Sequence, residues 1–332
     1  MASIEPSTTA NTPPRISVLI PTFRYARFLS EAVDSILAQD ERNFELLISD
    51  DASDDGTAEM LPELAKRDRR IRIWNQPRNL GMVVNWNFLL KEARGRYVQF
   101  VFGDDRLQSP HALRKMAAML DCDADAVLAC CARALIDESS GPIGSQNDLG
   151  PDAYFTGDPL ISRCLQEERN VIGEATAVMF RRSAAARGFD PALRRFVDLE
   201  MWLHLLRGGG ATHTAETLAG VRLHAAQATI ANSRGRWAAV DFLVMVARYH
   251  GHLVTADGLR PHSWEYRRRL FRQIYEARKA GRRPREGARA EGELLGRLGR
   301  WWYAVCWVRH RLGKPARTLR RRPPQEPEPS TH

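Results

Sequence analysis

The amino-acid sequence predicts an α/β fold in which helices cover both faces of a parallel β-sheet, followed by a helical C-terminal region. Apolar, β-branched segments alternate four times with segments of helical periodicity between residues 16 and 102, and this alternation is typical of a parallel sheet with crossover helices. The 332 residues are 44% hydrophobic and 27% charged, which excludes a wholly disordered or fibrous protein.

The elements of the first half follow from these patterns in order. The segment ISVLIPT has the apolar, β-branched character of a buried strand and stops at Pro21, because proline cannot donate to a strand ladder. The further strands are predicted at 44–48, 71–74 and 97–102. The helices between the strands are predicted at 28–37, up to about residue 66, and at 82–93.

The second half is less regular after Pro110. We expect a helix to residue 120, strands at 126–131, 175–180 and 217–223, a helix at 198–206, and an irregular segment at 137–157. From Trp237 onward we expect three helical stretches, the last at 294–312. The resulting domains are a disordered leader (1–15), a sheet domain (16–230), a helical C-terminal region (231–312) and a disordered tail (313–332).

The positive charge belongs to the C-terminal part of the chain. Residues 261–332 contain 19 Lys and Arg against 7 Asp and Glu, whereas the other 260 residues hold 30 basic and 33 acidic side chains. A basic end indicates either an anionic partner surface or a solvated charged helix. The N-terminus lacks a signal-peptide pattern, and the five cysteines form no C-x-x-C pair. We therefore expect reduced thiols and a cytoplasmic location.

Three acidic sites stand out, and we expect each of them at the end of a strand. These residues are Asp50-Asp51, Asp104-Asp105 and Asp198. The carboxyl ends of parallel strands meet at one sheet edge, where ligands of such folds bind. Gathered carboxylates repel one another unless a cation or ligand lies among them, and Mg²⁺ or Mn²⁺ bound with a substrate phosphate would suit them. Turn formation by Asp and Gly is the alternative explanation.

Three segments together resemble a known enzyme family. The strings ISVLIPTF, FELLISDDASDDGT and ARGRYVQFVFGDD are similar to those of the inverting family 2 glycosyltransferases, which have the GT-A fold. The resemblance covers about residues 16–224. It implies a GT-A domain at 16–230 with one nucleotide-binding sheet, and an enzyme that moves a sugar from a nucleoside diphosphate donor to a hydroxyl group.

The resemblance also implies a donor-nucleotide site at the first strands. It assigns Pro21, Thr22 and Phe23 to the nucleotide base and ribose, and Asn79 to the loop that borders the nucleotide. Asp51 matches the carboxylate that accepts a hydrogen bond from the pyrimidine N3–H. Because uracil and thymine carry that proton and cytosine does not, we expect UDP or dTDP as the nucleotide.

Asp104 matches the metal-binding carboxylate of the family's Asp-x-Asp motif, with Mg²⁺ or Mn²⁺ as the implied cofactor. The sequence departs from the motif, because Phe102 occupies its first acidic position. Asp105 is a candidate substitute and is also assigned to the donor site. His224, in the segment Arg222-Leu223-His224, matches the family's Arg-x-His element and is assigned to the metal or the diphosphate.

Asp198 resembles the family's catalytic base. An acceptor hydroxyl must lose its proton as it attacks the anomeric carbon, and one positioned carboxylate is sufficient for this. Glu200 is an alternative base whose position favours a structural role, and Trp202 is either an acceptor platform or a core residue.

The C-terminal region combines Trp301, Trp302, Tyr303 and Trp307 with several arginines. This mixture is typical of helices at a membrane interface, and lipid-linked acceptors are frequent in the family. The expected acceptor is a glycan or lipid-linked glycan of cell-surface polysaccharide synthesis, and peripheral contact with the inner membrane face is one interpretation. Docking of the helices on the catalytic domain is the other, and no nucleic-acid partner is expected.

Two other functions remain open at this stage. A nucleotidyltransferase would also need carboxylates and Mg²⁺, but the first loop, PTFRYARF, lacks the glycines that usually hold its phosphates. A non-catalytic glycan- or nucleotide-binding scaffold of the same fold would explain the missing carboxylate at Phe102.

Overall fold

The computed structural model describes residues 13–225, 227, 237–255, 263–281 and 285–312. Most of the expected leader and the whole expected tail lie outside these residues. The described part contains a mixed β-sheet, helices on both of its faces and four further helices at the C-terminal end. This arrangement confirms the predicted α/β fold class.

The sheet has ten strands within the described residues, in the order β3-β2-β1-β4-β9-β6-β10-β5, with β7 on β6 and β8 on β10. The strands are β1 Ile16–Thr22, β2 Phe44–Asp50, β3 Ile71–Asn75, β4 Tyr97–Phe100, β5 Arg106–Leu107, β6 Ala126–Ile136, β7 Pro142–Gln146, β8 Ala153–Phe155, β9 Val178–Arg181 and β10 Gly210–Arg222.

The helices alternate with the strands in the first half and then form a C-terminal group. They are α1 Ala26–Leu37, α2 Thr57–Arg67, α3 Met82–Glu92, α4 Ala112–Cys122, α5 Gly157–Glu167, α6 Val197–Leu206, α7 Trp237–Thr255, α8 Trp264–Lys279, α9 Arg285–Leu298 and α10 Arg300–Leu312. Short 3₁₀ turns cover Ala175–Ala177 and Arg182–Ala185.

Strand β1 shows why the sheet is buried on both faces. Ile16, Val18 and Ile20 belong to the core under α1, α2 and α4, whereas Leu19 belongs to the opposite core. All seven residues of β1 are buried. A strand whose alternate side chains enter two cores must be apolar throughout, which explains the continuous run in the sequence.

The sheet is not parallel throughout. Strands β1 to β4 are parallel, as predicted, but β9 runs antiparallel between β4 and β6. The expected strand at 175–180 begins as a 3₁₀ turn and becomes a strand only at Val178. The expected irregular segment at 137–157 contains β7 and β8, and the strand expected at 217–223 is the second half of the longer β10.

The C-terminal region contains four described helices where three were expected. The predicted helix at 294–312 is interrupted at Gly299, whose φ of 79° separates α9 from α10. A positive φ is readily adopted by glycine and ends an α-helix. No helix among the described residues combines the length and the apolar character needed to cross a bilayer.

Helix α7 is joined to the sheet domain through two buried carboxylates. Oδ2 of Asp241, on α7, accepts hydrogen bonds from the backbone N–H groups of Arg194, Arg195 and Phe196, at 2.9, 2.6 and 3.2 Å. These amides precede α6. Glu200, on α6, is fully buried and accepts hydrogen bonds from Arg248 and Tyr249 of α7. These contacts fix α6 and α7 relative to each other.

Candidate active site

The ends of β1 and β4 approach closely because residue 103 has no side chain. A Cβ atom at Gly103 would lie 2.8 Å from Oγ1 of Thr22, which is closer than side chains tolerate. The loop after β4 therefore packs directly on the end of β1. This approach brings Thr22, which is buried, to the same edge as Asp104, which is 6% exposed.

Most carboxylates of the acidic loop after β2 hold the backbone. Asp50 accepts from the hydroxyl and amide of Ser53. Asp55 accepts from Thr57 at the start of α2 and from the amide of Ala26 at the start of α1. These contacts are the turn chemistry that the sequence left open as an alternative.

Asp51 connects β2 to the loop before α3. Its two oxygens accept from the backbone N–H groups of Leu80 at 2.6 Å and Gly81 at 2.9 Å, and its own N–H donates to the carbonyl of Thr22. Asn79, in the same loop, is exposed. A carboxylate oxygen has two acceptor positions, so Asp51 retains capacity to accept one further hydrogen bond from a ligand.

Asp104 and His224 lie together at the edge, as the sequence predicted. Oδ2 of Asp104 is 3.0 Å from Nε2 of His224, and both residues are buried. Nδ1 of His224 and Oγ1 of Thr22 are buried and have no hydrogen-bond partner among the described residues. The Tyr25 and Phe28 rings surround the imidazole.

The chemistry of this pair fits a divalent cation. Asp104 offers a carboxylate oxygen and His224 an imidazole nitrogen, which contact each other directly at 3.0 Å, and both atom types are ligands of such ions. Within the described residues, no group of three or more His, Cys, Asp and Glu side chains is arranged to hold a metal. Asp104 and His224 are the residues that would hold a cation at this edge.

Asp105 is occupied by the protein itself. Its oxygens accept from the hydroxyl of Thr176 at 2.5 Å and from the backbone N–H of Arg222 at 2.9 Å. Burial, and next the charge of Asp104, raise the pKa of Asp105 well above its usual value. Phe102, at the first position of the acidic motif, stacks on Trp86 with ring centroids 4.9 Å apart, so an apolar contact replaces the usual carboxylate.

Asp198 lies in the first turn of α6 and is half-buried. Its Oδ1 accepts from the N–H of Leu199 at 2.7 Å and its Oδ2 from Nδ2 of Asn170 at 3.2 Å. Burial raises the pKa of Asp198 to about 7, with a further contribution from the charge of Glu174. A carboxylate that is half-ionised near neutral pH is suited to accept a proton.

The segment between α5 and β9 connects Asp198 to the acidic edge. Asn170 bonds to Asp198 at one end of this segment, and Thr176 bonds to Asp105 at the other. Residues 170–176 therefore link Asp198 to Asp105, the neighbour of Asp104, through a hydrogen bond at each end. Sequence reasoning missed Asn170, Thr176 and the intervening Glu174, because an irregular loop carries no periodic pattern or motif that would single them out.

Glu200 and Trp202 both make buried contacts within the protein. Both Glu200 oxygens are paired with Arg187, Arg248 or the hydroxyl of Tyr249, at 2.6–3.0 Å. The Trp202 indole is fully buried and donates to the carbonyl of Gly173 at 3.0 Å. These contacts agree with a structural role for Glu200 and a core position for Trp202.

Comparisons with known proteins identify the family of the chain. The model of glycosyl transferase family 2 matches residues 17–189. The Mycobacterium tuberculosis protein MT1568 is 33% identical over 222 residues, covering 64% of this chain and 68% of its own. TuaG of Bacillus subtilis, named as a teichuronic acid biosynthesis glycosyltransferase, is 28% identical over 60% of this chain and 75% of its own.

A solved structure shares the fold over most of the chain. Staphylococcus aureus TarS (residues 1–349), crystallised with UDP-GlcNAc, superposes with a TM-score of 0.58 at 15% identity, covering 90% of this chain and 92% of that one. The fold is thus that of the GT-A glycosyltransferases. The chain belongs to glycosyl transferase family 2 and is a glycosyltransferase.

Proposed function

We propose that the protein is a metal-dependent, inverting glycosyltransferase that moves a sugar from UDP or dTDP to a hydroxyl group of a glycan or lipid-linked glycan in cell-surface polysaccharide synthesis. The observation that carries this proposal is the segment 170–176, which bonds to Asp198 at one end and at the other to Asp105, next to the Asp104–His224 pair. This connection supports a base and a diphosphate site that act on one donor.

The donor would bind along the edge formed by β1, β2 and β4. Pro21, Thr22 and Phe23 end β1 there, and the remaining acceptor capacity of Asp51 suits the N3–H of uracil or thymine. Asn79 borders the same loop. UDP-GlcNAc in the TarS crystal supports a nucleotide sugar as the ligand class.

Asp198 and the Asp104–His224 pair have separate roles in the proposed reaction. Asp198 accepts the proton of the acceptor hydroxyl as this oxygen attacks the anomeric carbon. Direct displacement from the opposite side inverts the anomeric configuration and needs no covalent intermediate. Bound Mg²⁺ or Mn²⁺ would supply positive charge for the leaving diphosphate, and a GDP-mannose complex with Mn²⁺ of a Pyrobaculum calidifontis mannosyltransferase (TM-score 0.50) supports this cofactor class.

The C-terminal helices suggest contact with an anionic membrane surface. Trp264 and Trp307 are 39% and 40% exposed, and Val308 is 47% exposed. The Arg309 guanidinium lies 4.7 Å from the Trp264 ring centroid. Exposed aromatics beside arginines suit the headgroup region of a bilayer, and we propose that this surface brings the enzyme to a lipid-linked acceptor.

Substitution of Asp104 tests the metal and donor site. We expect Asp104→Ala to lower transfer by about 100-fold, since it removes a charged group from the diphosphate side, and to abolish the enhancement of UDP binding by Mn²⁺. Calorimetric titration with UDP and dTDP, with and without Mn²⁺, and transfer from labelled donors measure both effects.

Asp54→Ala is the matched control, because Asp54 is exposed and paired with Arg24. It should keep both binding and transfer. Mn²⁺-dependent binding and full transfer by Asp104→Ala would contradict the metal assignment, and nuclear magnetic resonance of the product would show whether its anomeric configuration is inverted.

A further inference from the structure

Asn170 organises the turn that faces the proposed base. Its Oδ1 accepts from the N–H groups of Ile172 at 3.0 Å and Gly173 at 3.1 Å, and its Nδ2 donates to the carbonyl of Gly173 at 2.8 Å. The same Nδ2 donates to Asp198. Since an amide donor bonds more strongly to a carboxylate than to a carboxylic acid, Asn170 favours the ionised form of Asp198.

Glu174 places a negative charge at the other end of this turn. Its carboxylate is ion-paired with Arg133 of β6, whose side chain is 4% exposed, while the Glu174 side chain remains 40% exposed. Arg133 also bonds to Asp148 at 3.1 Å. This buried arginine therefore fixes a half-exposed carboxylate four residues after Asn170, in the same segment, and the Glu174 charge contributes to the raised pKa of Asp198.

The other charged groups near Asp198 contact partners other than Asp198. On α6 itself, Glu200 is paired with Arg187 and Arg248. In the loop before α6, the Arg194 and Arg195 guanidinium groups lie over the Trp237 and Phe196 rings. At the sheet edge, Asp105 is bonded to Thr176 and Arg222 and Asp104 to His224. Among the side-chain charges of the described residues, that of Glu174 contributes most to raising the pKa of Asp198.

We propose that Asn170 and Glu174 are positioning residues that set the protonation state of Asp198 from the two ends of one turn, Asn170 favouring the carboxylate and Glu174 the protonated acid. This inference rests on the proposed role of Asp198 as the base. Burial makes Asp198 a stronger base than a freely hydrated aspartate, and the opposed effects of Asn170 and Glu174 adjust that basicity near neutral pH.

Two charge substitutions should move the acid limb of the kcat/KM profile in opposite directions. Glu174→Gln removes the repelling charge, so the limb should move to lower pH. Asn170→Asp replaces the donor by a second carboxylate but keeps an oxygen for the Ile172 and Gly173 amides, so the limb should move to higher pH. A shift of half a pH unit changes activity on the limb by about threefold.

The double variant and a distant control separate this effect from misfolding. Asn170→Asp combined with Glu174→Gln restores the charge of the turn, and its limb should return toward the wild-type position. Glu168→Gln changes the charge by the same amount beside Arg272 and should leave the limb in place. Shifts in the same direction for both single variants, or none, would overturn the inference.

A titration that does not depend on turnover completes the test. The carboxyl-carbon resonance of Asp198, assigned by its loss in Asp198→Asn, should titrate at lower pH in Glu174→Gln and at higher pH in Asn170→Asp. Full transfer by Asp198→Asn would overturn the base assignment and this inference with it. An inactive Asp198→Asn together with unmoved titrations in the turn variants would overturn the inference alone.

Discussion

Asp104 differs from the other acidic residues of the sheet edge in what its oxygens contact. Asp50, Asp51 and Asp55 accept from backbone amides, and Asp105 from a hydroxyl and an amide. Asp104 instead has one oxygen on His224, and the Thr22 hydroxyl at the same edge is buried without a partner in the part of the chain that the structure describes. Polar atoms left unsatisfied in this way are costly in a closed protein and are expected where a ligand binds.

The sequence predicted these residues to different degrees. The family resemblance assigned Asp104 and His224 to one metal site, and the structure places their side chains 3.0 Å apart after β4 and β10. The sequence did not predict that both oxygens of Asp105 would accept hydrogen bonds from Thr176 and Arg222. Those contacts join residues 71 and 117 positions apart, and no local pattern encodes them.

Asp198→Asn should stabilise the folded protein at pH 8 while abolishing transfer. The folded-state pKa of Asp198 is raised to about 7, above its value in an unfolded chain, so folding holds this proton more tightly. The corresponding stability is present at acidic pH and is lost as pH rises through about 7. The neutral amide avoids that loss, and we expect a gain of about 1 kcal/mol, or about 2–4 °C in Tm.

Thermal unfolding of both proteins at pH 5 and pH 8 measures this effect. At pH 5, where the wild-type carboxyl is already protonated in the folded state, the two melting temperatures should differ by less than at pH 8. Equal differences at both pH values would show that ionisation of Asp198 does not limit stability.

At the scale of the elements, the sequence was most informative where a strand enters two cores. β1, β2 and the helices between them followed from apolar runs and helical periodicity. The antiparallel direction of β9 did not, because strand direction depends on which neighbours a strand meets in the sheet. The break at Gly299 was missed for a related reason, since an isolated glycine is tolerated within many helices.

Asp241 is the residue through which α7 holds the loop before α6. Asp241→Ala would leave three backbone N–H groups without their acceptor. A buried group left in this way costs about 1–3 kcal/mol, and these three are only part-buried, so water can replace some of the lost bonds. We expect a loss of about 1–3 kcal/mol in the free energy of unfolding and a lower kcat, because α6 carries Asp198. Urea denaturation and steady-state kinetics measure these changes.

Asp241→Asn provides the conservative comparison. Its side-chain carbonyl can still accept from the three amides, so its loss of stability should be clearly smaller. If the alanine and asparagine variants were equally destabilised, or if the alanine variant retained wild-type stability, the proposed coupling of α7 to α6 would be wrong.

At the scale of the whole molecule, charge is divided between a near-neutral sheet domain and a basic C-terminal end. The described aromatic side chains of α10 are used in two ways. Trp302 packs against Trp264 and Tyr303 against Phe271, whereas Trp264 and Trp307 also remain substantially exposed. Helix packing and the proposed membrane contact are therefore compatible. Trp302 and Tyr303 contribute to the packing, and the exposed parts of Trp264 and Trp307 would contact the membrane.

Vesicle flotation tests the membrane proposal. The protein should bind vesicles containing anionic phospholipid, bind neutral phosphatidylcholine vesicles less, and lose binding as salt is raised, because salt screens exposed charges. Trp264→Ala together with Trp307→Ala should reduce binding. Tyr154→Ala, which removes an exposed aromatic ring of the sheet domain, should not, and binding unaffected by lipid charge would contradict the proposal.

Arg222, at the end of β10, has a consequence for how the chain reaches its native state. Its buried guanidinium donates to the carbonyl of Asp104, 118 positions earlier, and pairs with Glu31, 191 positions earlier. Closing loops of such length is slow and entropically costly. During synthesis, strands β1 to β4 thus emerge long before Arg222. The contacts of Arg222 with Asp104 and Glu31 can form only after β10 has left the ribosome.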